Sequence, residues 1–109
     1  IAWIYLQMVH YIEKKAGTHF TLDEMSNDLS VSISTLCKTA KAHSGKTVFR
    51  LVNEQRLSRA KELLADDTLS IAEVASRVGL DDYNYFTRLF KKATGITPTA
   101  YRRQLKKAN

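Results

Sequence analysis

With 109 residues, 44% of them hydrophobic, and a formal net charge of +6, the chain suits one domain or two small lobes that share helices, and its basic balance favours a polyanionic partner. A single cysteine, Cys37, excludes an internal disulfide and a thiol-rich zinc site and fits a reducing cytoplasm, so no metal or cofactor is expected. No apolar run approaches the roughly 18–20 residues that span a bilayer, and no secretory pattern opens the chain, which predicts a soluble protein away from the membrane.

The chain opens on IAWIYLQ, without an initiator Met and already in helical periodicity, which predicts a piece of something longer. Residues 2–16 place Ile4, Tyr5, Met8, Val9, Tyr11 and Ile12 on one stripe, with Gly17 as a C-cap after Lys14 and Lys15. Trp3 reads as core, or as a face covered by upstream sequence. Thr21 and Glu24 have capping-box spacing, opening a short helix whose buried stripe is Leu22, Met25 and Leu29. Ser32 can cap a helix over 33–43 that Gly45 closes. A long helix follows from Thr47 to Ala65, burying Val48, Leu51, Val52, Leu57, Ala60 and Leu64, until DDT at 66–68 breaks it.

The pattern then repeats. TLDEMSNDLSV at 21–31 aligns with SIAEVASRVGL at 70–80, an offset of 49 from Thr21 to Ser70. Beyond the turn the offset is 50, pairing Leu36 with Phe86, Ala40 with Phe90, Gly45 with Gly95 and Thr47 with Thr97. In the second copy Pro98 takes the first helical position, where its missing N–H costs nothing. Each copy reads as a short helix, a tight turn plugged by Val31 or Leu80, and a second helix, which is a helix-turn-helix unit. The expected architecture is all-α with about seven helices: a first helix-turn-helix subdomain over 1–46, a linker helix over 47–66 and a second subdomain over 67–109.

The stretch SIAEVASRVGLDDYNYFTRLFKKATGITPTAYRR resembles the signature of the AraC/XylS family of bacterial transcription regulators, and RLSRAKELL at 56–64 is similar to that family's linker helix. The resemblance covers roughly residues 4–105. The first unit departs more, with AKAHSG at 40–45 where relatives often carry an aromatic and basic run, and Leu80 stands where a Phe is common. The resemblance implies a sequence-specific double-stranded DNA-binding domain, most often of an activator. It implies as partners promoter DNA, RNA polymerase and a missing upstream sensor or dimerisation region.

Helical spacing turns Ser34, Thr35, Cys37, Lys38 and Lys41 outward from the first unit's second helix, and Tyr83, Asn84, Thr87, Arg88 and Lys91 outward from the second's. These are the candidate base-reading residues: Arg88 and Lys38 suit guanine, Asn84 suits adenine, and Cys37 suits a thymine methyl. The resemblance also places base contacts at Ser34, Cys37 and Lys38, and groove-entering or bordering positions on the second helix's outward face. Ser32, Lys46, Thr47, Tyr85 and Lys92 are the candidate backbone contacts, the first three beside helix N-termini whose unpaired N–H groups anchor phosphate. Asp82 is expected to cap its helix, Tyr101 to be core, and Arg102 to be a structural ion pair. A linker of about 19 residues is about 28 Å long, close to the roughly 34 Å between successive major grooves.

Isolated His10, His19 and His43 point away from metal ligation. No phosphate-cradling glycine loop and no nucleophile with its base is present, which argues against an enzyme. The competing reading is a basic helical module that binds an acidic protein.

Overall fold

Side chains that accept hydrogen bonds from the amide three residues ahead set most helix starts. In a computed structural model, which describes residues 2–108, the chain runs as α1 (Ala2–Lys15), α2 (Leu22–Leu29), α3 (Ile33–Ser44), α4 (Val48–Leu64), α5 (Ile71–Arg77), α6 (Tyr83–Thr94) and α7 (Pro98–Ala108). Thr21 and Ser32 accept from the amides of Glu24 (3.0 Å) and Thr35 (3.1 Å), and Ser70 and Asp82 accept from those of Glu73 (3.0 Å) and Tyr85 (3.1 Å). Thr47 and Thr97 do the same for Arg50 and Ala100, both at 3.1 Å. The exits are equally local. Gly45 and Gly95 close α3 and α6 in the left-handed region, at φ 73° and 87°.

Two compact units result, Ile1–Gln55 and Arg56–Asn109, and their boundary falls inside α4. The first unit's core gathers Met8, Tyr11 and Ile12 of α1, Met25 of α2, Leu36 and Ala40 of α3, and Val48 and Val52 from the first half of α4. The second core takes Leu57, Ala60 and Leu64 from the rest of α4, with Val74 and Ala75 of α5, Leu80 of the turn, and Phe86 and Phe90 of α6. The edge of Tyr101 packs against Phe90 with ring centroids 5.5 Å apart, so this α7 tyrosine belongs to the core as expected.

Three expectations need amending. Of the two alternatives for Trp3 the core one fails: the residue is 61% exposed, because the buried stripe of α1 is set by Met8, Tyr11 and Ile12 and Trp3 lies off it. Gly17 is not a left-handed cap: α1 exits through Ala16 N–H to Ile12 O and Thr18 N–H to Lys15 O, both 2.9 Å, a backbone path that any residue can follow. The long helix has 17 residues, a rod of about 25 Å rather than about 28 Å, since Thr47 is its cap and Ala65 already turns out of it.

Candidate nucleic-acid interface

The corner before the second helix of each unit's helix-turn-helix, α3 or α6, is built from local hydrogen bonds. In the first unit Ser26 Oγ donates to Val31 O at 2.6 Å, and the Val31 amide returns to Ser26 O at 3.1 Å. In the second the Leu80 amide donates to Ala75 O at 2.9 Å. The residue before each plug is left-handed, Ser30 at φ 55° and Gly79 at φ 81°. Both corners therefore turn the same way, which is what lets α3 and α6 follow their short helices at matching register.

On α3, Leu36, Thr39 and Ala40 are buried, while Ser34, Cys37, Lys38 and Lys41 are exposed together on the opposite arc. Thr35 is only half exposed, and its hydroxyl accepts from Ser32 Oγ at 2.9 Å, so it serves the helix start. Lys41 curls back, its Nζ donating to Gly45 O at 3.4 Å. Ile33 opens the helix with 36% of its surface exposed.

On α6, Phe86 and Phe90 are fully buried, with Leu89 partly so, and Asn84, Arg88, Lys91 and Lys92 are exposed. Tyr83, equivalent to Ile33, is 46% exposed. Thr87 departs from the outward arc expected of it: the residue is half buried, and its Oγ1 is enclosed without a hydrogen-bond partner. Tyr85 likewise leans inward, packing against the second core, where it lies close enough to the partly buried Arg56 guanidinium to interact electrostatically. Spacing alone assigns these two to the surface; the neighbouring helices claim them.

Among the backbone-contact candidates, Ser32 and Thr47 use their hydroxyls as N-caps and remain exposed. Lys46 is held by Glu54, Nζ to Oε1 2.9 Å, and Arg50 reaches the other oxygen of the same carboxylate at 3.5 Å. Leaving α3 and α6, Ser44 and Thr94 donate back to Ala40 O (2.6 Å) and Phe90 O (2.8 Å) and accept from the amides of Lys46 (3.1 Å) and Ile96 (3.3 Å). Sequence reasoning missed this pair, although both lie just before the matching glycines. Arg102 is structural: Nε donates to Leu64 O at 2.9 Å and a terminal nitrogen to Asp66 O at 3.1 Å, so it caps the end of α4 more closely than it meets Asp67, 4.0 Å away.

Within the first unit an open cavity of about 310 Å³ is lined by Val9, Ile12 and Leu51, with Glu13 and Glu54 at its polar side. Among the described residues no group of three or more His, Cys, Asp or Glu side chains could hold a metal, and no helix is long and apolar enough to cross a membrane.

A family model described as a helix-turn-helix domain matches residues 25–104, most of both corners and all of α4. The chain belongs to the AraC/XylS helix-turn-helix family. Among its relatives, the xylose operon regulatory protein of Escherichia coli K12 is 34% identical over 97 residues, covering 89% of this chain and 25% of that protein. The arabinose operon regulatory protein of Salmonella typhimurium is 37% identical over 87 residues, covering 80% of this chain and 31% of that one. The chain thus spans about a quarter to a third of the length of these relatives. The C-terminal domain of AraT, a response regulator from Geobacillus stearothermophilus, superposes with a TM-score of 0.84 at 36% identity, over 90% of this chain and 82% of that one.

In this AraC/XylS domain the exposed arcs of α3 and α6 are chemically unequal. At the 50-residue offset Ser34 faces Asn84 in the alignment, Cys37 faces Thr87, Lys38 faces Arg88 and Lys41 faces Lys91. Three of the four pairs are exposed in both copies; Cys37 is exposed where Thr87 turns in.

Proposed function

We propose that this AraC/XylS domain binds double-stranded promoter DNA sequence-specifically, with α3 and α6 each entering a major groove. The observation that carries the reading is the repeated design of those helices: one apolar edge buried in a core, the opposite arc exposed and cationic, at the same register in both copies. A B-DNA major groove admits such a helix and presents a distinct donor and acceptor pattern for each base pair.

In this reading Arg88 forks onto guanine, Asn84 pairs with adenine, and Lys38 donates to guanine O6 or N7. Ser34 and Thr35 offer short hydroxyl contacts, Cys37 and Ile33 an apolar touch to a thymine methyl, and Tyr83, Thr87, Lys41 and Lys91 complete the base-facing set. Ser32, Lys46, Thr47, Tyr85 and Lys92 contact the backbone, the helix N-termini at Ser32 and Thr47 adding amide donors and the positive end of a dipole. Lys46 must exchange Glu54 for phosphate to do so. The wider role we propose is transcription regulation in the cytoplasm, as an activator that contacts RNA polymerase and answers to an upstream sensor or dimerisation region, without catalysis. The relatives' names and the fraction of their length that this chain spans support that reading.

Selection of bound sites from random duplexes tests the proposal. It should yield two short motifs about one helical turn apart. Arg88→Ala should relax preference at one base position by about 1–3 kcal/mol, whereas Lys92→Ala should weaken all sequences equally. Binding that ignores base sequence at every salt concentration would instead identify a basic module for acidic proteins.

A further inference from the structure

The net charge is distributed very unevenly. Of the +6, the first unit carries six basic against five acidic side chains, a net +1, and the second eleven against six, a net +5. The imbalance widens at the reading helices. In the first unit Lys46 and Arg50 share Glu54, and Lys41 is turned onto its own helix's cap carbonyl, which leaves Lys38 as the exposed α3 cation with no such engagement among the described residues. In the second unit five of the six acids are used elsewhere: Asp66 on Thr68, Asp67 on Lys106 at 3.4 Å, Glu73 on Ser70, Asp81 on Ser76 Oγ at 3.4 Å and Asp82 on the Tyr85 amide. Arg88, Lys91 and Lys92 stand exposed along one helix, with no ion pair to them among the described residues.

We propose that the two units divide the work of binding: the second unit supplies most of the sequence-independent attachment to phosphate through α6, and the first unit is a weakly attached reader that acts once the second is down. The inference rests on the DNA-binding reading above. Its physical basis is counterion release. Each phosphate neutralised on a duplex contributes about 0.9 to the slope of log affinity against log salt, so the unit with unengaged cations dominates that slope and the encounter rate. Cations already paired to a carboxylate release few counterions. A further consequence is that non-specific DNA should be held almost entirely by the second unit.

Two double substitutions in the full chain test this, K38Q with K41Q on α3 and K91Q with K92Q on α6, which leaves the guanine-reading Arg88 in place. Affinity is measured across salt concentrations for the selected site and for a random-sequence duplex, with circular dichroism melts as a folding control. The α6 pair should lower the slope by about 1.8 on both duplexes and reduce random-sequence binding at least tenfold at low salt, whereas the α3 pair should lower it by about 0.9 or less. An α3 pair that lowers the slope as much as the α6 pair, or that alone abolishes random-sequence binding, overturns the division. If the unsubstituted chain shows no salt-dependent duplex binding at all, the DNA-binding reading fails and not the division alone. Should either pair melt early, the single substitutions K38Q and K92Q decide by the same slope: K92Q should lower it by about 0.9 on both duplexes and K38Q by less, and a K38Q loss as large as that of K92Q overturns the division.

Discussion

At position 30 the first corner uses a serine where the second uses Gly79, and both residues are left-handed, at φ 55° and 81°. An L-residue pays roughly 1–2 kcal/mol for that conformation, partly offset in glycine by greater chain entropy when unfolded. Ser30→Gly should therefore stabilise the first unit by up to about 1 kcal/mol, and Gly79→Ala should cost the second about 1–2 kcal/mol, both read by thermal unfolding. Thr87 carries a different tension. Its enclosed hydroxyl has no partner, a situation that costs about 1–3 kcal/mol, so the isosteric Thr87→Val should raise the melting temperature. If the hydroxyl swings out to DNA, the same change will lower affinity for the selected site; unchanged affinity would remove Thr87 from the base-contact set. Tyr11 adds a pH signature. Burial, followed by its 2.7 Å hydrogen bond to Asp28 Oδ2, pushes the phenol up to about 12 from 10.0. The fold favours the protonated form, so this stabilisation is complete below pH 10 and lost as pH rises from 10 towards 12. Tyr11→Phe should cost about 1 kcal/mol at neutral pH and flatten the alkaline decline relative to the unsubstituted chain.

Helix ends show which local rules were sufficient at the scale of elements. Ser70 and Glu73 form a complete capping box, the Glu73 side chain accepting from the Ser70 amide at 3.1 Å while the Glu73 amide donates to Ser70 Oγ. Those bonds to Ser70 hold the Glu73 carboxyl below its usual range. Its contribution is therefore present above about pH 4.5 and fades in acid, because the unfolded chain takes up the proton first. Ser70→Ala should destabilise the second unit by about 1 kcal/mol, and Glu73→Gln should remove the part of its acid sensitivity that comes from Glu73, as followed by melts at pH 3 and 7. The caps at Thr21, Ser32, Ser70, Thr47 and Asp82 were legible in the sequence because a cap is a contact three residues long. Arg102 was legible only as a charge with a structural use. Its true task, closing the carbonyl end of α4 at Leu64 and Asp66, joins residues 36–38 positions apart and needs the folded unit.

At the scale of the molecule each unit has its own small core, and small cores have little stability to spare. Phe90 is fully buried between Phe86 and Tyr101, with centroids 5.9 and 5.5 Å away. Phe90→Ala should remove about 3–5 kcal/mol from the second unit, visible as lost hydrogen-exchange protection in α5, α6 and α7 and, on the reading proposed above, as weakened DNA binding. Intact protection there would mean that the rings do not hold α6 in place. The amino-acid sequence by itself determined the helical order, the duplicated corner and hence the family, because caps, periodicity and glycine exits are interactions between near neighbours and each copy confirms the other. Only tertiary packing decided the edges of the exposed arcs on α3 and α6. A period of 3.6 residues names the centre of an exposed arc, but neighbouring helices decide whether residues at its margin turn in, as Thr87 and Tyr85 do, and whether a stripe reaches as far as Trp3. It also decided which cations remain unengaged, since the capture of Lys46 by Glu54 depends on how the chain enters α4, a geometry that no spacing rule contains.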